Sequence, residues 1–341
     1  MRPLIYFQPK SRDTHNYEGM RVVKNLYEAA RLMSIDFTTD PLQAYDLAHF
    51  VSTKAYKYIK NALLRKVPVI ISALMSENDP DARLLLKIGD KWRIKQRDLA
   101  ILQAVTLIIV PTTSGKTILN HLGVTTPIEV LSEGVIKGRF VQGHELEKGI
   151  FPRYFGYNPK RQLVIANGRY SKESGLPDYI DIARKFPEVD FYYFGPQPNL
   201  LSLWFFKREY RTAPPNVYLK KTIHEDVYRS ALMNAIVFML PSYYPSGTVS
   251  VLDPMMSKCQ IIARKTAIYP DLIIDKKTGF IGDSNYELEK TLARFLAGQQ
   301  QATTEQAYQK ALELDLEKIA PRLKDIYESL TSLNQQALPM K

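Results

Sequence analysis

The chain has 341 residues but a single cysteine, Cys259, so no disulfide can form within one molecule and disulfide-braced scaffolds are excluded. A reducing, cytoplasmic setting is the expectation that fits. No apolar run approaches the ~18 residues that a membrane-spanning helix needs. The opening residues, Met1-Arg2-Pro3-Leu4-Ile5-Tyr6-Phe7, hold too short an apolar stretch for a secretory leader and read as a first strand. No short repeat or low-complexity tract is present. Acidic residues are the scarcer charge, 35 Asp and Glu against 46 Lys and Arg, which leaves a formal charge of +11. The surplus is spread over both halves and is not a tail. Such a surface suits anionic lipid or phosphorylated ligands, or serves solubility alone. No nucleic-acid motif accompanies the charge, so nucleic acid is not an expected partner. No metal site and no cofactor are expected.

What is present is ample material for two cores: 45% of residues are apolar and 24% charged. The first half alternates short apolar runs with helical stripes. Strands are expected at Pro3–Gln8, Ile35–Thr38, Leu47–Ser52, Val67–Ala73, Thr106–Val110 and Ile128–Leu131. Helices are expected at Glu18–Met33, Thr53–Lys66 and Ser114–Leu122, and Asp81–Val105 reads as mostly helical. The second half repeats the alternation, with strands at Gln162–Ala166, Asp190–Phe194, Val217–Leu219, Ala235–Leu240 and Gln260–Ala263. Helices are expected there at Asp178–Lys185, His224–Met233 and from Val251. The chain ends in helices at Tyr286–Leu296, Glu305–Leu314 and Leu316–Leu333. Repeated strand–helix alternation calls for parallel sheets covered by helices. The expected fold class is α/β, with one doubly wound domain over 1–150, a second over 151–315, and a C-terminal helix, 316–341, that could return to the first. The boundary is placed in Gly143–Lys160, and ligands are expected at the carboxyl ends of the strands, in a cleft between the halves.

The segment Leu240-Pro241-Ser242-Tyr243-Tyr244-Pro245-Ser246-Gly247-Thr248-Val249-Ser250-Val251-Leu252-Asp253-Pro254-Met255-Met256 carries the most chemistry. An apolar strand ends in a polar loop, and a Gly-Thr-Val turn opens a helix. Amides at a helix start can hold a diphosphate. Gly247, Thr248 and Val249 could supply them, and Asp253 could accept hydrogen bonds from a ribose diol. The plain alternative is a strand–turn–helix with Asp253 as a cap or surface acid. Another segment, Pro111-Thr112-Thr113-Ser114-Gly115-Lys116-Thr117, has the Gly-Lys-Thr of a phosphate loop. The first glycine of that motif is replaced by Val110, so a helix cap at Thr113 or Ser114 is the better reading.

Several segments fit, in order, one known pattern: Asp46-Leu47-Ala48-His49; Val67-Pro68-Val69-Ile70-Ile71; Leu107-Ile108-Ile109-Val110-Pro111-Thr112; Leu163-Val164-Ile165-Ala166-Asn167-Gly168-Arg169; Phe191-Tyr192-Tyr193-Phe194-Gly195-Pro196; the Leu240–Met256 stretch; and Lys277-Thr278-Gly279-Phe280-Ile281. Together they resemble the family-four retaining glycosyltransferases of the GT-B fold, nearest to bacterial glucosyltransferases that extend diacylglycerol glycolipids. The resemblance implies a nucleotide sugar bound through Arg169, Lys172, Gly247, Thr248, Val249 and Asp253. It also exposes three departures. The family's diphosphate-binding lysine falls on Ser174, its histidine on Leu74, and the first of its two glutamates on Pro245. Glu77 and Asp79, in Ser76-Glu77-Asn78-Asp79-Pro80, are the remaining candidates for a general base. The plainer reading, and the better one from the residues alone, is a polar turn capping a helix that starts near Asp81.

Between Ser52 and Lys66 lie five basic residues, Lys54, Lys57, Lys60, Arg65 and Lys66, with two tyrosines and no acid. Such a helix can rest on an anionic membrane surface, or be the solvated face of a sheet-packing helix. Leu200-Leu201-Ser202-Leu203-Trp204-Phe205-Phe206 is the densest apolar run, fit for a buried helix, a lipid contact or a partner interface. The expected function, by resemblance, is hexosyl (glucosyl) transfer from a nucleotide sugar to a membrane lipid or cell-envelope glycan at the inner membrane face. The alternative is a non-catalytic relative that binds or stabilises a second glycosyltransferase subunit.

Overall fold

The structure is a computed structural model, and it describes residues 3–9, 17–73, 85–88, 91–141, 144–195, 212–243, 248–265 and 270–337. The chain divides into two compact units. One comprises Met1–Ile136, Ser246–Val249 and Leu314–Lys341; the other comprises Lys137–Pro245 and Ser250–Glu313.

In the first unit, chain order runs β1 (Ile5–Phe7), α1 (Tyr17–Leu32), β2 (Phe37–Thr38), β3 (Leu47–Phe50), α2 (Tyr56–Leu64), β4 (Val69–Ser72), β5 (Leu85–Ile88), β6 (Lys91–Ile94), α3 (Gln96–Ala104), β7 (Leu107–Val110), α4 (Thr113–His121) and β8 (Ile128–Val130). Six strands form one sheet in the order β2-β1-β3-β4-β7-β8, every pair parallel. Its strands are buried almost throughout, as a sheet covered on both faces requires. On one face pack Ala55, Ile59, Ala62, Leu102 and Leu119 from α2, α3, α4 and the turn before α2. On the other, α1 offers Val22, Leu26, Ala29 and Ala30, the spacing of a single helical stripe. The C-terminal helix Leu316–Ala337 meets the same core with Leu316, Ala320, Leu323 and Tyr327. Each Leu-sized side chain so buried contributes about 2 kcal/mol.

The interval 81–105 departs from the mostly helical expectation. Strands β5 and β6 pair antiparallel, with Ile88 opposite Lys91, and only Gln96–Ala104 is helical among the described residues there. The sequence between the strands is Gly89-Asp90, a pair suited to a two-residue hairpin loop, and this short-range signal outranks apolar periodicity. Strand β5 thus stands where a helix from Asp81 is expected. Glu77 and Asp79, the acids that would cap such a helix, lie outside the described residues. The Gly-Lys-Thr segment is a helix start, capped one residue earlier than expected: the Thr112 hydroxyl accepts the Gly115 amide at 3.1 Å.

The second unit begins with three short helices, α5 (Gly138–Val141), α6 (His144–Lys148) and α7 (Ile150–Phe155). There follow β9 (Leu163–Asn167), α8 (Leu176–Ala183), β10 (Asp190–Gly195), β11 (Val217–Lys221), α9 (Glu225–Asn234), β12 (Val237–Leu240), α10 (Val249–Met256), β13 (Gln260–Arg264), β14 (Phe280–Gly282), α11 (Asn285–Leu296) and α12 (Thr304–Glu313). The sheet order is β11-β10-β9-β12-β13-β14, again all parallel. Successive strands run outward from β9 in one direction and from β12 in the other. The gap above β9 and β12 is thus the topological switch point, where doubly wound sheets bind ligands.

A buried polar chain ties the C-terminal helix to the first sheet. The His49 imidazole, fully buried near the end of β3, contacts the Tyr327 hydroxyl at 2.7 Å through Nδ1 and the Ser72 hydroxyl at 2.8 Å through Nε2. Burial drives its pKa down to about 3, so the folded imidazole is neutral. In the unfolded chain the same histidine takes up a proton near 6.5. As pH falls from about 6.5 toward 3 the unfolded state binds the proton first, so stability drops by roughly 1.4 kcal/mol per pH unit from this group. Denaturant midpoints measured across that window are expected to fall with this slope, and His49→Gln to flatten it.

Candidate functional site

The switch point of the second unit is built by two loops that interlock. The first follows β9 and carries Gly168, Arg169, Lys172 and Ser174; the second follows β12 and carries Pro241, Ser242 and Tyr243. The Tyr243 amide donates to the Glu173 carbonyl at 2.9 Å. Gly175, with φ +72°, lies under Pro241; a Cβ there would sit 2.3 Å from the Pro241 carbonyl oxygen, so no larger residue fits. The half-buried Arg169 is anchored through its backbone: its carbonyl accepts the Tyr193 hydroxyl at 3.0 Å and also the Ser174 hydroxyl. Ser174 stands where the resembling family carries a cation. Its hydroxyl is also 3.0 Å from the Ser171 carbonyl, so this side chain closes its own turn. Lys172 is exposed on that turn.

A buried arginine fastens the second loop. Arg264, at the end of β13, donates through Nε to the Pro241 carbonyl at 2.9 Å and pairs with Asp178 of α8 at 3.0 Å. Its guanidinium also contacts the Asn285 side-chain oxygen, while Asn285 donates to Asp178 at 2.8 Å. The same guanidinium lies 4.1 Å from the centre of the Tyr243 ring. One cation thus holds the loop's backbone and stacks its aromatic side chain. Arg264 is absent from the sequence-based expectations, because a lone arginine at a strand end carries no signal of its own.

Asp253 lies on α10 and is 2% exposed, so it is neither a surface acid nor a helix cap. Its carbonyl accepts from the Ser257 amide and hydroxyl. Thr248 is likewise buried, immediately before α10, and Val249 is the helix's first residue. Gly247, Pro245 and Leu74 lie outside the described residues, as does the apolar run Leu200–Phe206.

In the first unit, polar groups gather at the carboxyl ends of β3, β4, β7 and β8. A small, partly enclosed and mostly apolar pocket is lined there by Asn25, His49, Ser72, Pro111, Ser132 and Glu133, with apolar walls from α1 and the C-terminal helix. Glu133 accepts the hydroxyl proton of Thr248. Thr248, expected at a diphosphate, therefore also meets an acid for which the sequence offers no motif.

On the basic segment, Thr53–Ala55 forms one 3-10 turn before α2. Ile59 and Ala62 face inward. Lys57, Lys60, Arg65 and Lys66 are exposed, whereas Lys54 is half-buried. Among them stand exposed Tyr56, Tyr58 and Leu64, with Leu64 70% exposed. Arg65 is steadied by the Gln43 carbonyl at 2.8 Å and by the Tyr45 ring. Among the described residues no helix is long and apolar enough to cross a membrane.

The paired, all-parallel sheets are those of the GT-B fold, and solved structures share them. A sucrose-phosphate synthase from Thermosynechococcus elongatus superposes with a TM-score of 0.75 at 15% identity, over 97% of this chain and all of that one. Anabaena HepE, solved in complex with UDP-glucose, gives 0.73 at 14% identity, over 96% of this chain and all of that one. In sequence, residues 150–312 match the family described as glycosyl transferases group 1. The processive diacylglycerol alpha-glucosyltransferase of Acholeplasma laidlawii is 26% identical over 341 residues, 98% of this chain and all of the relative. The chain thus has the GT-B fold, carries a match to glycosyl transferases group 1 over residues 150–312, and is similar along its length to a diacylglycerol glucosyltransferase.

Replacing Arg264 by methionine would leave Asp178 and the Pro241 carbonyl without their shared cation. Breaking such a buried pair costs about 3 kcal/mol. Urea denaturation is expected to register that loss, and a double cycle with Asp178→Asn to show strong coupling between the two sites.

Proposed function

We propose that the chain transfers a hexosyl unit, glucose by resemblance, from a nucleoside diphosphate sugar to a membrane lipid, with retention at the anomeric carbon. The observation that carries this reading is the interlocked pair of loops at the switch point of the second unit. Arg169 lies on the first of these loops, and doubly wound sheets commonly take ligands at such a switch point, which supports a diphosphate-binding role for it. In the proposed roles, Arg169 and Lys172 balance the diphosphate charge, amides at Gly247–Val249 complete its cradle, and the Asp253 carboxylate accepts from the ribose diol. The acceptor hydroxyl attacks the anomeric carbon, the bond to the diphosphate oxygen breaks, and the leaving diphosphate takes the acceptor's proton. Glu77 and Asp79 remain candidates for assisting that proton on the acceptor side.

Lipid is favoured as the acceptor by the outer face of α2. Exposed Lys57, Lys60, Arg65 and Lys66 interleave with Tyr56, Tyr58 and Leu64, a combination suited to an anionic membrane surface. The site of action in this reading is the cytoplasmic membrane face.

A second reading is favoured by Ser174. Its hydroxyl is turned into its own turn where a cation is expected, which suits a chain that binds a nucleotide sugar and stabilises a partner transferase. Purified protein given UDP-glucose and diacylglycerol glycolipid vesicles separates the two. Transfer that falls at least ~100-fold in Arg169→Ala and in Asp253→Ala supports the first. A nucleotide-induced rise in Tm with neither transfer nor donor hydrolysis supports the second.

Membrane docking has its own test in vesicle sedimentation. Each cation near an anionic surface contributes about 1 kcal/mol, so Lys57→Ala with Lys60→Ala is expected to weaken partitioning into anionic vesicles by about 30-fold. Neutral vesicles should show no such difference.

A further inference from the structure

Two polar side chains that line the small pocket of the first unit, Asn25 and Ser72, have hydrogen-bonding capacity that the fold does not use. Asn25, on α1 and 1% exposed, donates through its amide nitrogen to the Glu133 carbonyl at 3.0 Å and to the Gly134 carbonyl at 2.8 Å. Both partners are acceptors, so the nitrogen and oxygen of this amide cannot be interchanged. Its Oδ1 is left buried with no hydrogen-bond partner among the described residues. Burying an acceptor in that condition is costly unless a donor reaches it.

Ser72, at the end of β4, is in the complementary condition. The Tyr327 hydroxyl is buried, and its one hydrogen bond among the described residues is with His49 Nδ1 at 2.7 Å. Its proton therefore goes to that nitrogen. The neutral imidazole then carries its own proton on Nε2 and donates it to Ser72 Oγ at 2.8 Å. The Ser72 hydroxyl proton is not taken by the histidine, and no hydrogen bond to another acceptor exists for it among the described residues. Around these two groups the lining is apolar, with Leu26, Ile109 and Leu323 among the walls.

We propose that this pocket binds the hydroxyl end of an aliphatic alcohol. A hydroxyl gives its proton to Asn25 Oδ1 and accepts that of Ser72, while its carbon stem covers the apolar wall. A carboxylate has no proton for Asn25, and an ammonium has no lone pair for Ser72. Water matches both polar groups but leaves the wall uncovered. The same chemistry belongs to a free alcohol and to the glycerol end of a lipid. All the residues involved belong to one compact unit, and the inference stands apart from the nucleotide-sugar reading given above.

Ligand-observed NMR titration of the full chain tests it with two matched pairs. Butanol represents a free alcohol, and chlorobutane is its hydroxyl-free partner. Dibutyrylglycerol represents the glycerol end of a lipid, and propylene glycol dibutyrate, with a methyl in place of the hydroxymethyl group, is its partner. At least one alcohol is expected to bind, about tenfold or more tighter than its partner. Tighter binding of dibutyrylglycerol than of butanol assigns the site to lipid, and the reverse order assigns it to a free alcohol. In Ser72→Ala the affinity of the bound alcohol is expected to fall about tenfold, to the level of its partner. A pocket that takes water but neither alcohol, partners that bind as tightly as the alcohols, or full affinity in Ser72→Ala overturns the proposal. Should Ser72→Ala fail to fold, Ile319→Trp decides. Ile319 is half-buried on the C-terminal helix and lines the pocket, so a larger side chain there is expected to abolish alcohol binding, and retained binding overturns the proposal.

Discussion

The candidate site depends on one close approach, that of the β9 loop and the β12 loop at the switch point of the second sheet. Parallel strands deliver both loops to the same edge, and the reversal of strand order opens space above them. The loops can occupy that edge together only because Gly175 presents no side chain to Pro241. The Tyr243 amide bond to the Glu173 carbonyl, and hydroxyl bonds from Tyr193 and Ser174 to the Arg169 carbonyl, convert proximity into a fixed geometry. Holding a loop by its backbone leaves side-chain chemistry free to vary, which suits a scaffold whose ligand contacts differ from one chain to the next.

Charge in this protein is distributed differently from the family pattern it resembles. The cation missing at Ser174 is not replaced on the same turn except by exposed Lys172. Arg264 is buried, but it is committed to Asp178, Asn285 and Pro241 and acts as a brace. Glu133, in the turn after β8, is committed at least in part to the Thr248 hydroxyl.

Several features were legible because they depend on local periodicity. Buried strands such as Val69–Ser72 and Leu163–Asn167 are short apolar runs between turns, and α1 and the C-terminal helix show single apolar stripes. The hairpin Leu85–Ile94 reads as helix in sequence because apolar residues there satisfy more than one period, and only Gly89-Asp90 marks the turn. The acid at Asp253 was visible, but not its burial. The contacts of Glu133, Arg264 and the Tyr327–His49–Ser72 chain were invisible, since each joins residues from far apart in the sequence.

By itself the sequence determined the alternation of strands and helices, the doubly wound class, the ordered motifs of a glycosyltransferase and the absence of three of its usual side chains. These are properties of neighbouring residues, and neighbours are what a linear chain records. Tertiary structure alone decided which polar groups meet: that Thr248 answers to Glu133, that Tyr243 lies on Arg264, and that the last helix closes over His49. Such pairings follow from strand order and helix packing, which bring together residues separated by 278 positions in the case of His49 and Tyr327. No local pattern encodes a contact of that separation, because its energy exists only once both partners have been buried.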